Sequence, residues 1–368
     1  MGDRSKVSKM MTLAFVALLA GAGCTAPAIN PSDTNPPATE PPATEQSKTL
    51  RIATDDDPGR PGAAQIEEFA RRVKELSGGK LHIEPVWKAV GHDKDDWDQA
   101  VARAVMAGDF EMALVPARAW DTEGVDAFAA LHAPFLVTSN PMLAKVTEPA
   151  VADEMLAGLD RAGVSGLALF PEGTRMLFSF TGPLLKPADL AGKAVRAPRS
   201  DTTYELLKAL GATPDDLVGE AFPDGIAAGK VAAAESSFAF ADTLPEPTTA
   251  TGNLTLYPKV NSLVVNIKAF NALSETQLQN LKDAAAATRT WAAGAMTAVA
   301  DDAAAFCRSG GTVVTATDAE IAAFKSAGEA VYAKLEADPE TKNRIARIRD
   351  LAAGEPAPAA IPPCGPGG

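Results

Sequence analysis

Gly166-Leu167-Ala168-Leu169-Phe170-Pro171-Glu172-Gly173-Thr174-Arg175-Met176-Leu177-Phe178-Ser179-Phe180 is apolar up to Phe170, is interrupted at Pro171-Glu172-Gly173, and alternates from Thr174 onward. Pro and Gly are the strongest local breakers, and alternation marks a half-buried strand. The stretch predicts a strand of one domain, a crossing, and a strand of a second domain. Upstream, Leu50-Arg51-Ile52-Ala53 reads as a strand, followed by a Gly/Pro loop, a helix around Ala64 to Leu76 and an alternating strand from Lys80 to Trp87. A helix from about Asp95 to Ala107 stops at Gly108, and Glu111-Met112-Ala113-Leu114-Val115 is a buried strand by its apolar run. Strands alternating with helices imply a parallel sheet with crossover helices.

Downstream, Tyr204 to Leu210 reads as a short helix ended by Gly211, Val231 to Ser237 as a strand, and Leu254 to Ile267 as the β-rich return to the first domain. Ser274 with Gln277 makes a capping-box pattern that opens an Ala-rich helix expected to run to about Cys307; Thr317 with Glu320 repeats the pattern before a helix to about Ala337. The fold class is α/β: two α/β domains with a hinge, a ligand cleft between them and C-terminal helices. The expected division is 49–172 with 262–302 as the first domain, 173–261 with 303–352 as the second with the C-terminal helices, and 353–368 as a Pro/Gly-rich tail.

The chain has 368 residues, 46% of them hydrophobic, enough for two packed cores. Its net charge of −13 repels polyanions, which argues against nucleic acid as a partner. Arg4, Lys6 and Lys9 precede an apolar run from Met10 to Ala20, then Gly21-Ala22-Gly23 and Cys24, so residues 1–23 read as an export signal. Cys24 is placed like a lipid-attachment cysteine, the alternative being cleavage without lipid. Residues 24–48 are rich in Pro, Thr, Ala and Glu and read as a tether. Outside the cytoplasm the remaining pair, Cys307 and Cys364, is expected to form a disulfide holding the tail to the body.

No enzymatic signature emerges. His82, His92 and His132 lack metal-ligand spacing, Gly192-Lys193 lacks the upstream glycine of a phosphate loop, and no serine occupies a nucleophile elbow. No metal or cofactor is expected. Arg175 and Arg196 stand out because they lie in apolar, strand-like surroundings, whereas Arg71, Arg72 and Arg103 lie on amphipathic helices. A guanidinium in such a place needs an anion, and its planar fork matches a carboxylate bidentately. The competing reading is an internal ion pair with Glu172, Asp201 or Glu235.

These residues resemble the extracytoplasmic solute receptors of tripartite ATP-independent periplasmic (TRAP) transporters, of the dicarboxylate- and sialate-binding type. The resemblance runs from Leu50 to about Leu351 through Phe69-Ala70-Arg71-Arg72-Val73, Ala107-Gly108-Asp109-Phe110-Glu111 and Ala133-Pro134-Phe135-Leu136. It is most specific in Gly173-Thr174-Arg175, in Lys186-Pro187-Ala188-Asp189-Leu190-Ala191-Gly192-Lys193-Ala194-Val195-Arg196-Ala197-Pro198 and in Leu207-Lys208-Ala209-Leu210-Gly211-Ala212-Thr213-Pro214. It implies a type II periplasmic-binding-protein fold that closes on a small organic acid and delivers it to membrane subunits. It also implies that Arg196 makes the main ion pair with the ligand carboxylate and Arg175 a second contact. Ser236, in Ala234-Glu235-Ser236-Ser237, stands where the family often has a ligand-touching asparagine; Phe222 falls in a stretch, Glu220-Ala221-Phe222, similar to a family Glu-Val-Tyr. Asp55, at the end of the first strand, is a further pocket candidate, the alternative being a turn or cap. A ligand-sensing lipoprotein feeding a signalling receptor and an extracellular enzyme acting on an acid are the competing functions.

Overall fold

The computed structural model describes residues 47–91, 95–217, 221–356 and 358–365. The stretch read as an export signal, Cys24 and most of the stretch read as a tether lie outside them. The first half runs β1 (Lys48–Ala53), α1 (Pro61–Leu76), β2 (Leu81–Val86), α2 (Trp97–Ala107), β3 (Met112–Pro116), two short 3-10 turns, α3 (Asn140–Val146) and α4 (Pro149–Ala157). There follow β4 (Val164–Ser179), β5 (Ala194–Arg196), α5 (Asp201–Ala209), β6 (Thr213–Asp215), α6 (Ala221–Ala227), β7 (Ala233–Ser236) and β8 (Thr249–Asn266). The chain closes with α7 (Ile267–Asn271), α8 (Glu275–Ala295), α9 (Val299–Arg308), β9 (Thr312–Val314), α10 (Asp318–Leu335) and α11 (Pro339–Ala352).

The nine strands of the described residues belong to one sheet, in the order β2-β1-β3-β8-β4-β7-β5-β6 with β9 beside β8. β1 pairs in parallel with β2 and β3, and β5 with β6 and β7, as the βαβ reading requires. β4 and β8 are antiparallel partners long enough to serve both halves. The expected crossing is therefore not a break between two strands but a place within β4, where the register shifts between Pro171 and Gly173 opposite Val260 and Lys259. Gly173 has φ +133°, which only glycine adopts without strain, so the strand turns there without ending.

The continuous apolar runs reflect a sheet covered on both faces. In β3, Met112 and Leu114 join α1 and α8 in one core, while Ala113 and Val115 join Trp120, Phe128 and α2 in another. Across the crossing, Leu177 and Val195 pack toward α5 and α10, and Met176 and Phe178 toward Phe238 and Phe306. Both capping boxes form, Ser274 with Gln277 and Thr317 with Glu320.

Two expectations about the C-terminal part are corrected. The Ala-rich helix does not run to Cys307; it ends at Ala295, and α9 begins at Val299. Met296 and Ala298 are extended, which lets α8 pack on the first half while Ala303 and Phe306 of α9 pack on the second. Nor does α11 stay with the second half: Ile345 and Ile348 are fully buried in the core that holds Trp120 and Leu131. The tail is joined to the body through Cys307–Cys364, with Cα atoms 6.1 Å apart, and Val313 and Cys364 exchange backbone hydrogen bonds of 3.1 and 3.0 Å.

Candidate ligand-binding site

Arg196 is the last residue of β5. Val195 and Ala197 are fully buried on one face, so the two-residue period of the strand sends Arg196 to the other. Its register partner on the parallel β7 is Ala234, two residues before Ser236, so Arg196 and Ser236 emerge on the same face at the C-terminal ends of neighbouring strands. Nε of Arg196 donates to the Leu217 carbonyl at 2.8 Å. The guanidinium lies 5.1 Å from the centre of the Phe222 ring and 6.0 Å from that of Trp97, within cation–π range of both. Phe222 comes from α6 of the second half, whereas Trp97 opens α2 of the first. Among the described residues no carboxylate forms an ion pair with Arg196. Desolvation pulls its pKa below the ordinary arginine value, Glu235 raises it, and Arg118 and Arg175 lower it again.

Arg175 is different. It is buried, its Nε lies 3.4 Å from Oε1 of Glu235, and its guanidinium lies 5.4 Å from the Phe240 ring centre. The internal ion pair weighed from the sequence therefore exists for Arg175. Glu235 lies between Ala234 and Ser236, so it faces away from them, toward Arg175.

Asp55 and Asp56 follow β1. Burial and the neighbouring Asp98, Asp56 and Asp57 push the Asp55 carboxyl up to about 7 against the pull of Lys88, and its Oδ1 is buried without a hydrogen-bond partner. Asp56 is pushed up to about 6 by burial; Lys259 and Arg118 counteract, while Glu172 and Asp98 add to the rise. Gly62, in the first turn of α1, makes room for it: a Cβ there would collide with the Asp56 carboxylate.

Both aspartates carry folded-state pKa values above the unfolded value of 3.8, so the stability they contribute is fully present below that value and is lost as pH rises through about 6 and 7. The unliganded protein is accordingly expected to lose stability between pH 5 and pH 8. Asp56→Asn should remove about 1 kcal/mol of that loss. Urea unfolding at the two pH values measures it; an unchanged slope in the variant would refute the assignment.

Several participants had not been singled out. Arg118, just after β3, pairs with Asp98 at 2.5 Å, both buried. Lys259 Nζ meets Glu172 Oε1 at 2.6 Å, and Asn261 Nδ2 donates to Glu172 Oε2 at 2.6 Å and to Gln65 Oε1 at 2.9 Å. Gln65 Nε2 in turn donates to the Pro171 carbonyl at 2.9 Å, tying α1 to the crossing. Burial works against the Glu172 carboxylate, but Lys259 and Arg175 more than offset this and hold it below the usual range. Arg118 carried the same signal as Arg196, an arginine in an apolar run, Val115-Pro116-Ala117-Arg118-Ala119-Trp120. Trp97 carried none.

A cavity of about 460 Å³ lies behind this cluster, lined in part by Arg60, Ser237, Phe238, Trp291 and Met296. Its lining includes none of Arg196, Arg175, Ser236, Phe222 and Asp55, and its cation Arg60 faces Asp242 at 3.8 Å. Unlike the Arg196 cluster, it offers no unpaired cation among the described residues. His132 is buried, its Nδ1 donates to the Phe128 carbonyl at 3.3 Å, and it is pushed down to about 3 by burial, so it is a neutral core residue. Among the described residues no group of three or more His, Cys, Asp and Glu is arranged to hold a metal, and no helix is long and apolar enough to cross a membrane.

Known proteins fit this architecture. The chain is 26% identical over 168 residues to the C4-dicarboxylate-binding periplasmic protein DctP of Rhodobacter capsulatus, covering 45% of this chain and 48% of that protein. It is 26% identical over 154 residues to the C4-dicarboxylate-binding protein DctB of Bacillus subtilis (strain 168), covering 42% and 43%. The chain thus spans about half the length of the curated relatives it matches. Its fold is that of a TRAP periplasmic solute binding protein from Roseobacter denitrificans with bound β-D-glucuronate, at a TM-score of 0.71 and 20% identity over 82% of this chain and 99% of that one. The sugar acid binding protein DctPAm from Advenella mimigardefordensis strain DPN7T, in complex with galactonate, gives a TM-score of 0.72 and 18% identity over 84% and 99%. Residues 53–338, from the end of β1 to the start of α11, match the model of the bacterial extracellular solute-binding proteins, family 7, and the chain belongs to that family.

Proposed function

We propose that this chain is the extracytoplasmic receptor of a TRAP-type transporter, held at the membrane by a lipid on Cys24, which captures a small organic acid and passes it to membrane subunits without chemical turnover. The observation that carries the reading is Arg196: a desolvated guanidinium without a carboxylate partner among the described residues, between a ring from each half of the sheet. A ligand carboxylate supplies the missing anion. Arg175 gives a second donor from its Nη atoms, Ser236 a hydroxyl on the face of Arg196, Phe222 a wall, and Asp55 an acceptor. The sheet halves hinge at Pro171–Gly173 and Lys259–Val260, and closure brings Trp97 over Arg196, excluding water and strengthening the ion pair. The bound acids named for the structural neighbours, glucuronate and galactonate, and the dicarboxylates named for the curated relatives are all carboxylates.

A thermal-shift screen of mono-, di- and sugar carboxylates tests the reading. An acid at 100 times its dissociation constant should stabilise the protein by about 2.7 kcal/mol. A panel in which no acid moves the midpoint would refute it.

A further inference from the structure

The segment that follows Arg196 is held from the other half of the sheet. Arg199-Ser200-Asp201-Thr202 leads from β5 into α5, whose Leu206 and Leu207 pack in a core of the second half. Two elements of the first half grip it. Gln99, two residues after Trp97 on α2, donates from Nε2 to the Arg199 carbonyl at 2.9 Å. Asp121 belongs to the 3-10 turn Ala117–Glu123 after β3 and directly follows Trp120, which is fixed in the core of the first half. Its Oδ2 accepts from Ser200 Oγ at 2.7 Å and from the Thr202 N–H at 3.0 Å, and Ser200 Oγ in turn accepts from the Thr203 N–H at 3.2 Å. Gln99, Ser200, Thr202 and Thr203 are all buried. Hydrogen bonds to a carboxylate are stronger than neutral ones, and stronger still where water is scarce.

An opposing force acts at the same place. A cavity of about 240 Å³ beside these bonds is lined in part by Asp121, Asp126, Asp201, Glu205, Lys334 and Asp338. Lys334 pairs with Glu205; among the described residues no cation forms an ion pair with any of the other four carboxylates. Asp201 belongs to the second half, Asp121 and Asp126 to the first. Burial and Asp121 push the Asp201 carboxyl above its ordinary range, and burial, Asp121, Asp338 and Asp201 do the same to Asp126.

We propose that Asp121 is a positioning residue for capture: it clasps Ser200 and Thr202 when the halves close, so part of the affinity comes from bonds the acid never touches, and Asp201 limits the clasp by repulsion. This rests on the receptor reading above. Bonds made only in the closed state add their free energy to any ligand that selects that state. They slow release and leave capture unchanged, because they form after encounter.

Calorimetric titration of the full chain at pH 7.5 with D-glucuronate and with succinate, with stopped-flow measurement of release, tests it. For an acid that the parent binds, Asp121→Ala should bind about tenfold more weakly through faster release, and Asp121→Asn, which keeps an acceptor without the charge, about threefold. Asp201→Asn should bind about threefold more tightly. An Asp121→Ala protein that is less stable without ligand but releases the acid at the parent's rate would show a merely structural role and overturn the proposal. An Asp201→Asn protein that binds no more tightly than the parent overturns the opposing role. Hydrogen exchange of the ligand-free chain needs no acid: the Thr202 and Thr203 amides should exchange about tenfold faster in Asp121→Ala, and unchanged rates overturn the clasp whatever the parent binds. A parent that binds no carboxylate at all, with exchange faster in Asp121→Ala, overturns the receptor reading and the role in capture but leaves the contact standing.

Discussion

Arg196→Ala should weaken binding of the captured acid by a hundredfold or more while the protein stays folded. Removing one member of a buried, hydrogen-bonded charge pair costs about 3–5 kcal/mol, because the other charge is left desolvated and alone. Here the stranded charge would be the ligand carboxylate, enclosed by Trp97 and Phe222. The unliganded fold should not suffer, since the guanidinium is a desolvated cation held among the described residues by a hydrogen bond to the Leu217 carbonyl and not by an ion pair. Arg196→Lys should recover only part of the affinity, about tenfold below the parent, because an ammonium cannot serve Leu217 and two carboxylate oxygens in one plane. Arg175→Ala supplies the contrast: it leaves Glu235 buried without its partner, so unfolding stability should fall along with affinity. Calorimetry for affinity and urea unfolding for stability separate the cases; an Arg196→Ala protein that binds like the parent would refute the anchor.

Removing the disulfide should cost about 4 kcal/mol, the loop-entropy value for a bridge closing several tens of residues. The cysteines are separated by 57 positions, and the bridge holds a tail with few other attachments. Among the described residues those attachments include the ion pair of Glu355 with Lys145, the backbone pair of Val313 with Cys364 and the packing of Ile361 beside Val313. In Cys307→Ala with Cys364→Ala the last two should loosen, and the aromatic cluster of Phe178, Phe238 and Phe306, with ring centres 5.2 to 5.6 Å apart, should lose one wall. For a chain of this size the midpoint should fall by about 5 °C. Scanning calorimetry of the oxidised parent and the double variant measures it; coincident midpoints would show that the tail contributes nothing to the fold.

Much of the fold was legible because its signals are local. Met112-Ala113-Leu114-Val115 is apolar throughout since both faces of β3 are covered, and Ser274 and Thr317 announce their helices with side chains that cap them. What was illegible depends on partners distant in the chain. Pro171 and Gly173 read as a break, yet pairing with β8 carries β4 through them with a shift in register. Nothing in Met296-Thr297-Ala298 announces the end of a helix; α8 and α9 separate because they pack on different halves. The apolar stripe of α11 says that Ile345 and Ile348 are buried, not that they are buried beside Trp120.

The site divides in the same way. An arginine in an apolar strand is visible in sequence, and it pointed to Arg175 and Arg196 alike, but only the structure separates a paired guanidinium from an unpaired one. Arg118 lies in a similar apolar run, and its buried pair with Asp98 is visible only in the structure. Trp97 opens an amphipathic helix and looks ordinary until the sheet brings its ring to Arg196.

The most direct test of the account is a crystal structure of the protein with the tightest acid from the screen. The account predicts both oxygens of one carboxylate within hydrogen-bond distance of the Arg196 guanidinium, with Trp97 and Phe222 on either side. A carboxylate bound elsewhere, in the cavity beside Trp291 or on Lys259, with Arg196 untouched, would contradict it.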